Sequence, residues 1–127
     1  MGLKNKKDYV YKTLKENDID ICLLQEVEVP HELNHTLLSD VSYKIEIEKN
    51  SIKSRCAIAI KNTICYERRL DIEEVDQGIV ILDLNGLDKY RIVNVYRSFN
   101  PPNNVTPLAF CKSQLKIIET AVTTSVN

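Results

Sequence analysis

Apolar residues along this chain follow two rhythms, one of about 3.6 residues and one of 2, and the switches between them divide it into elements. Val10, Tyr11 and Leu14 share one helical stripe, which predicts a first helix over Lys4 to Asn17. Asn5 is its expected cap, Asp8 suits the positive end of its dipole, and Asn17 can end it in a left-handed conformation. Ile19 to Leu24 is apolar nearly throughout and short, the pattern of a central strand covered on both faces. Pro30 suits the first position of a short helix carrying Leu33 and Leu37. Tyr43, Ile45 and Ile47 then alternate with Lys44, Glu46 and Glu48, predicting a half-exposed strand.

A second buried run, Cys56 to Ile60, leads through a turn at Asn62-Thr63 into Ile64-Cys65-Tyr66. Gly78 to Leu84 and Tyr90 to Tyr96 read as strands of a hairpin around Asn85-Gly86. A loop rich in Asn and Pro covers Ser98 to Val105. Thr106 then caps a last helix with Pro107 at its first position. On that helix Leu108, Cys111, Leu115, Ile118 and Val122 form one face, widened by Phe110, Ile117 and Ala121, and the breadth of the stripe predicts packing on a sheet. Helices interleaved with strands in this order predict an α/β layered sandwich.

Length and charge narrow the picture only a little. The 127 residues suffice for one core and not for two. A net charge of -1 supplies no long-range attraction to a polyanion, so any nucleic-acid contact would need a local basic patch. Cys22, Cys56, Cys65 and Cys111 form no C-x-x-C pair, and the first two sit in apolar runs. Buried free thiols in a reducing compartment are expected rather than a disulfide frame or a zinc site. No stretch has the pattern of a signal peptide, and no apolar run approaches the ~20 residues of a membrane span. An intracellular protein with no membrane partner is expected. Asn34-His35-Thr36 and Asn104-Val105-Thr106 match the glycosylation sequon, which has no use without export.

Two motifs carry candidate chemistry. Leu24-Gln25-Glu26 delivers a carboxylate at the C-terminal end of a buried strand, where open α/β sheets place their ligands. A carboxylate at the rim of an apolar core needs a donor or a cation, and Mg²⁺ is suited to one or two carboxylates completed by waters and phosphate oxygens. The bland reading is a solvated Glu at a strand end. His31-Glu32-Leu33-Asn34-His35 satisfies H-E-x-x-H, which on a helix puts two His on one face for Zn²⁺. Pro30 confines that match to the first helical turn, and the chain has no further His to complete a ligand set.

The segments around Leu14 to Glu26, Arg55 to Ile60 and Tyr90 to Phe99 together resemble the N-terminal part of the endonuclease/exonuclease/phosphatase family. They are most similar to the apurinic-type endonuclease domains of non-LTR retrotransposons. That resemblance implies a partial four-layer α/β sandwich truncated at both ends, with residues 1–127 forming the N-terminal part of one such domain. It implies a Mg²⁺ (or Mn²⁺) cofactor, DNA as the partner, and a nuclear location if the chain derives from a retrotransposon.

Glu26 matches the family's metal-ligating Glu and Tyr96 its phosphate-contacting Tyr. Asn100 is a weaker match, one place late relative to the family's Tyr-x-Pro-Asn, and Arg55 stands where the family usually has Gly. The family's later Asp-x-Asn and Asp-His segments, which supply the base, have no counterpart here, so a chain inert on its own is expected. Its sheet edges, including Ile21 to Leu24 and Ile79 to Leu82, are expected to lack neighbours and to favour self-association. A zinc hydrolase using His31 and His35, or a non-catalytic interaction module, are the alternatives.

Overall fold

In a computed structural model, which describes residues 2–31, 33, 38–86, 88–97 and 105–126, two helices flank two antiparallel three-stranded sheets. Helix α1 (Leu3–Glu16) is followed by β1 (Ile21–Pro30), β2 (Tyr43–Ile47), β3 (Lys53–Lys61), β4 (Tyr66–Arg68), β5 (Ile79–Leu84), β6 (Tyr90–Val95) and helix α2 (Pro107–Thr123).

The first sheet runs β1-β3-β2 and the second β4-β5-β6. Strand periodicity divides β3 cleanly between two faces. Cys56, Ile58 and Ile60 meet Val80 and Leu82 of β5 between the sheets. Ala59, on the opposite face of β3, packs with Tyr11 and Leu14 of α1. Ile79 and Ile81 of β5 pack outward against Ile117 and Ala121 of α2. The layers are therefore helix, sheet, sheet, helix.

Several local expectations are corrected. The central strands are β3 and β5, and β1 is an edge strand with Leu23 47% exposed. Its apolar run Ile21 to Leu24 is only partly covered, and one side of the strand is open. Ile79 to Leu82, by contrast, is wholly buried, pairs along its length with β6 and meets β4 at Leu82, so it is not short of neighbours as expected. Helix α1 begins at Gly2 with no side-chain cap, and Asn5 lies inside the first turn. The left-handed residue after α1 is Asp18 (φ 48°), while Asn17 bonds back to the Thr13 carbonyl through both its backbone N–H and its Nδ2. Pro30 is the last residue of β1 rather than the first of a helix; the rest of the expected short helix falls largely on residues 32 and 34–37, which lie outside the described residues.

The start of α2 is as expected, with Thr106 Oγ1 accepting from the Ala109 amide at 3.1 Å and Pro107 in the first turn. Its buried face is not. Phe110, Gln114, Ile117 and Ala121 face the sheet, and the more apolar stripe of Leu108, Leu115 and Val122 is exposed. Polar bonds select that rotation. Gln114 Nε2 donates to the carbonyls of Gln77 and Tyr96, both at 2.8 Å. Arg91 Nη1 donates to the Ala121 carbonyl at 2.6 Å, gripping the negative end of the helix.

Arg91 is itself held by Asp83, a fully buried carboxylate of β5 that accepts from Arg91 Nε at 2.6 Å and from Arg69 Nη1 at 2.8 Å. The hydrogen bonds from Arg91 and Arg69 hold the Asp83 carboxyl at about 2, below its ordinary 3.8. A depressed carboxyl stabilises the fold only while ionised, so this contribution is complete above about pH 4 and is lost as pH falls toward 2. Asp83→Ala is expected to cost about 3 kcal/mol, because it leaves two guanidinium groups short of their acceptor. Urea unfolding at pH 7 measures that loss, and repeating it near pH 2 should show a much smaller gap between variant and wild type.

Candidate functional site

The site is built where β1 stops being regular. Gln25 pairs with Cys56 and Val29 with Ser54, so Glu26, Val27 and Glu28 stand opposite Arg55 alone. The extra residues are accommodated by positive φ at Glu26 (54°) and Glu28 (49°). Non-glycine residues held there cost on the order of 1–3 kcal/mol each, and such strain gathers at functional sites. The bulge has a geometric effect. Strict alternation would put Glu26 on the same side as Leu24, beneath α1. Instead Val27 and Val29 fill that core and Glu26 turns outward. The strand thus continues four residues beyond Glu26, which marks a bulge rather than the strand's end.

Tyr96 follows the last residue of β6, and its backbone N–H donates to the Gly78 carbonyl at 2.8 Å. Its hydroxyl donates to Glu26 Oε1 at 3.3 Å, joining residues 70 positions apart and belonging to different sheets. Partial burial, and secondarily the Glu26 charge, raise the phenol's pKa above its ordinary 10, while Arg55 acts in the opposite direction. Arg55 Nη1 is also 3.8 Å from Glu28 Oε1. A cation thus stands opposite the bulge. A shallow cavity of about 300 Å³ opens on the other side of Glu26, lined by Gly2, Lys6, Leu24 and Gln25 among others.

Two buried polar residues hold this geometry, and neither was singled out from sequence. Asn94, on the same face of its strand as Tyr96, donates through Nδ2 to the Ala57 carbonyl at 2.8 Å and to the Leu24 carbonyl at 3.2 Å. Its Oδ1 accepts from Gln25 Nε2. The sheets are thereby stitched together one residue from Glu26. The signal in the sequence was a lone Asn inside Ile92-Val93-Asn94-Val95, two places before the Tyr. Glu48, almost wholly buried, accepts from the amides of Gly78 at 2.7 Å and Arg55 at 2.8 Å and from Asn50 Nδ2 at 3.2 Å. Burial raises its pKa despite these donors, and its hydrogen bonds tie the bulge's partner strand to the residue that leads into β5.

The remaining candidates do not converge here. Asn100 lies outside the described residues, as do Glu32 and His35 of the H-E-x-x-H match. His31 sits in the turn after β1, its Nδ1 3.0 Å from the Asn50 carbonyl. All four cysteines are free. Cys56 is buried and its thiol pKa is pushed far up by desolvation, whereas Cys65 is exposed, unlike the buried thiols expected. Among the described residues no group of three or more His, Cys, Asp and Glu is placed to hold a metal, and no helix is long and apolar enough to cross a membrane. Compared with known proteins, the chain matches no family model and no curated sequence.

Two outcomes follow from the geometry. Removing the charge with Glu26→Gln should lower the Tyr96 titration midpoint toward the ordinary value, without reaching it because burial persists; NMR of ring-labelled tyrosine against pH reads this directly. Asn94→Leu should cost about 2 kcal/mol by stranding the carbonyls of Leu24 and Ala57, and should broaden the amide signals of Gln25 to Glu28 more than those of β2.

Proposed function

We propose that this chain carries the metal-binding and phosphate-contacting part of a Mg²⁺-dependent phosphodiesterase site of the endonuclease/exonuclease/phosphatase type, with DNA as its substrate class, and that alone it is catalytically silent. The observation that carries this reading is the contact between Glu26 and Tyr96. A strained carboxylate in the β1 bulge and a phenol just beyond β6 meet across the two sheets, with a guanidinium opposite the bulge. A carboxylate, a hydroxyl donor and a cation are the groups a bound phosphodiester and its counter-ion need.

Glu26 suits a Mg²⁺ or Mn²⁺ ion that takes one protein carboxylate and fills its other positions with water and phosphate oxygens. It does not suit zinc, which requires three or four protein ligands. When bound, such an ion neutralises charge developing on the phosphate oxygens. With Glu26 engaged by the ion, the Tyr96 hydroxyl would be released from it to donate to a non-bridging oxygen, and Arg55 would offset charge beside the bulge. In-line hydrolysis also requires a base for the attacking water. No described His stands beside Glu26 and Tyr96, and loss of such a member typically lowers the rate by several orders of magnitude.

The test is binding rather than turnover. Mn²⁺ should broaden the NMR signals of Gln25 to Glu28 and the Tyr96 ring, and Glu26→Gln should abolish that broadening while leaving the rest of the spectrum in place. Broadening that ignores Glu26→Gln would overturn the metal assignment. Plasmid nicking with Mg²⁺ should stay at background; nicking that disappears in Glu26→Ala would show that the chain is catalytically complete, contrary to this reading.

A further inference from the structure

The most apolar face of α2 is the one the fold leaves uncovered. Leu108, Leu115 and Val122 are 65%, 58% and 78% exposed, and Cys111 and Ile118 between them are half-buried. These five positions repeat at alternating steps of three and four, the 3.5-residue period of a helix-pairing seam rather than of a helix lying on a sheet. The seam lies about a third of a turn around α2 from Phe110, Gln114, Ile117 and Ala121, which face the sheet, so a second helix paired through it would leave those sheet contacts in place.

We propose that this seam pairs with the same seam of a second copy, the two α2 helices lying antiparallel across a twofold axis. The charges beside the seam select that occupant and its register. Lys112 and Glu119, both exposed, occupy equivalent positions on its open flank, two turns apart. The opposite flank is Gln114 and Ala121, buried against the molecule's own sheet. In a parallel pair each charge would face that uncharged flank. In an antiparallel pair the open flanks meet.

Two antiparallel registers keep the apolar residues in contact. One pairs Leu115 with Ile118 and Cys111 with Val122 of the other copy, and brings Lys112 of each copy opposite Glu119 of the other, twice by symmetry. The other pairs Leu108 with Ile118 and Cys111 with Leu115, and sets Lys112 against Lys112. Only the first is electrostatically satisfied. A helix of 17 residues is about 25 Å long, and one seam of that length falls at the small end of stable interfaces. The dimer is therefore reversible and concentration-dependent.

Sedimentation equilibrium of the full chain over a roughly hundredfold concentration range tests this. The mass should rise from 14.6 kDa toward twice that value. Leu115→Glu, at an exposed position, should keep the monomer's circular dichroism and melting profile while removing the dimer. Lys112→Glu places like charges opposite each other twice and should weaken association about tenfold. The double variant Lys112→Glu/Glu119→Lys restores opposite charges and should return it to near the original strength. A chain that stays monomeric throughout would overturn the proposal. So would association that ignores these substitutions, which would point instead to pairing along the open edge of β1.

Discussion

Everything near the candidate site depends on how closely the backbone at Gly78 can approach its neighbours. Gly78 has φ +69°, and a Cβ there would fall 2.5 Å from the Tyr96 carbonyl oxygen. Only glycine meets both conditions. Its amide donates to Glu48, and its carbonyl accepts from the Tyr96 amide and from the Cys56 thiol at 3.3 Å. One residue therefore fixes the start of β5 against the end of β6, the core of β3 and the loop after β2. The side chain of Tyr96 reaches Glu26 because its backbone is pinned at this point.

Around that contact the two sheets are joined by more than apolar packing. Cys56, Ile58, Val80 and Leu82 supply non-directional attraction, which alone would tolerate small slides of one sheet over the other. Asn94 and Glu48 remove that freedom, because their hydrogen bonds are satisfied in one relative placement only. Both lie at the end of the sandwich that holds Glu26. Another buried polar group, Asp83 with its two arginines, does the same work for α2 at the opposite end of the second sheet. The core supplies most of the stability, and the polar groups supply the register.

What was legible from the sequence was local. The α2 cap depends on Thr106 and Pro107 alone, and the β2 strand on strict alternation from Tyr43 to Ile47, so neighbouring residues sufficed. The layered order was legible because the apolar periods switch cleanly. The two ends of α1 were misread locally, but the misreadings of packing share a cause: each turned on a partner far along the chain. The buried face of α2 is chosen by Arg91 and by the carbonyls that Gln114 reaches, and an apolar count points to the other face. The edge position of β1 depends on which strands pair, which a single apolar run does not encode. The bulge could not be read from Leu24-Gln25-Glu26, because Val27 and Val29 re-enter the core each directly after a left-handed residue, Glu26 and Glu28, that is not glycine. Glu26 and Tyr96 were brought forward by resemblance, whereas Asn94 and Glu48, which hold them, look like ordinary polar residues until the sheets are assembled.

The sequence distance across the site has a kinetic consequence. Within the second sheet, β5 and β6 are neighbours along the chain, so their hairpin closes a short loop. The links that join the sheets beside Glu26 connect residues 69 and 70 positions apart. Closing that larger loop costs more chain entropy, and it is rewarded only after each sheet has its own strands in place. The carboxylate and the phenol are therefore expected to meet late on the folding route. Changes at that meeting point act mainly on how fast the native molecule opens, not on how fast it forms. The same order run in reverse makes the strained bulge an expected early point of opening, readable as faster amide exchange at Gln25 to Glu28 than in β3.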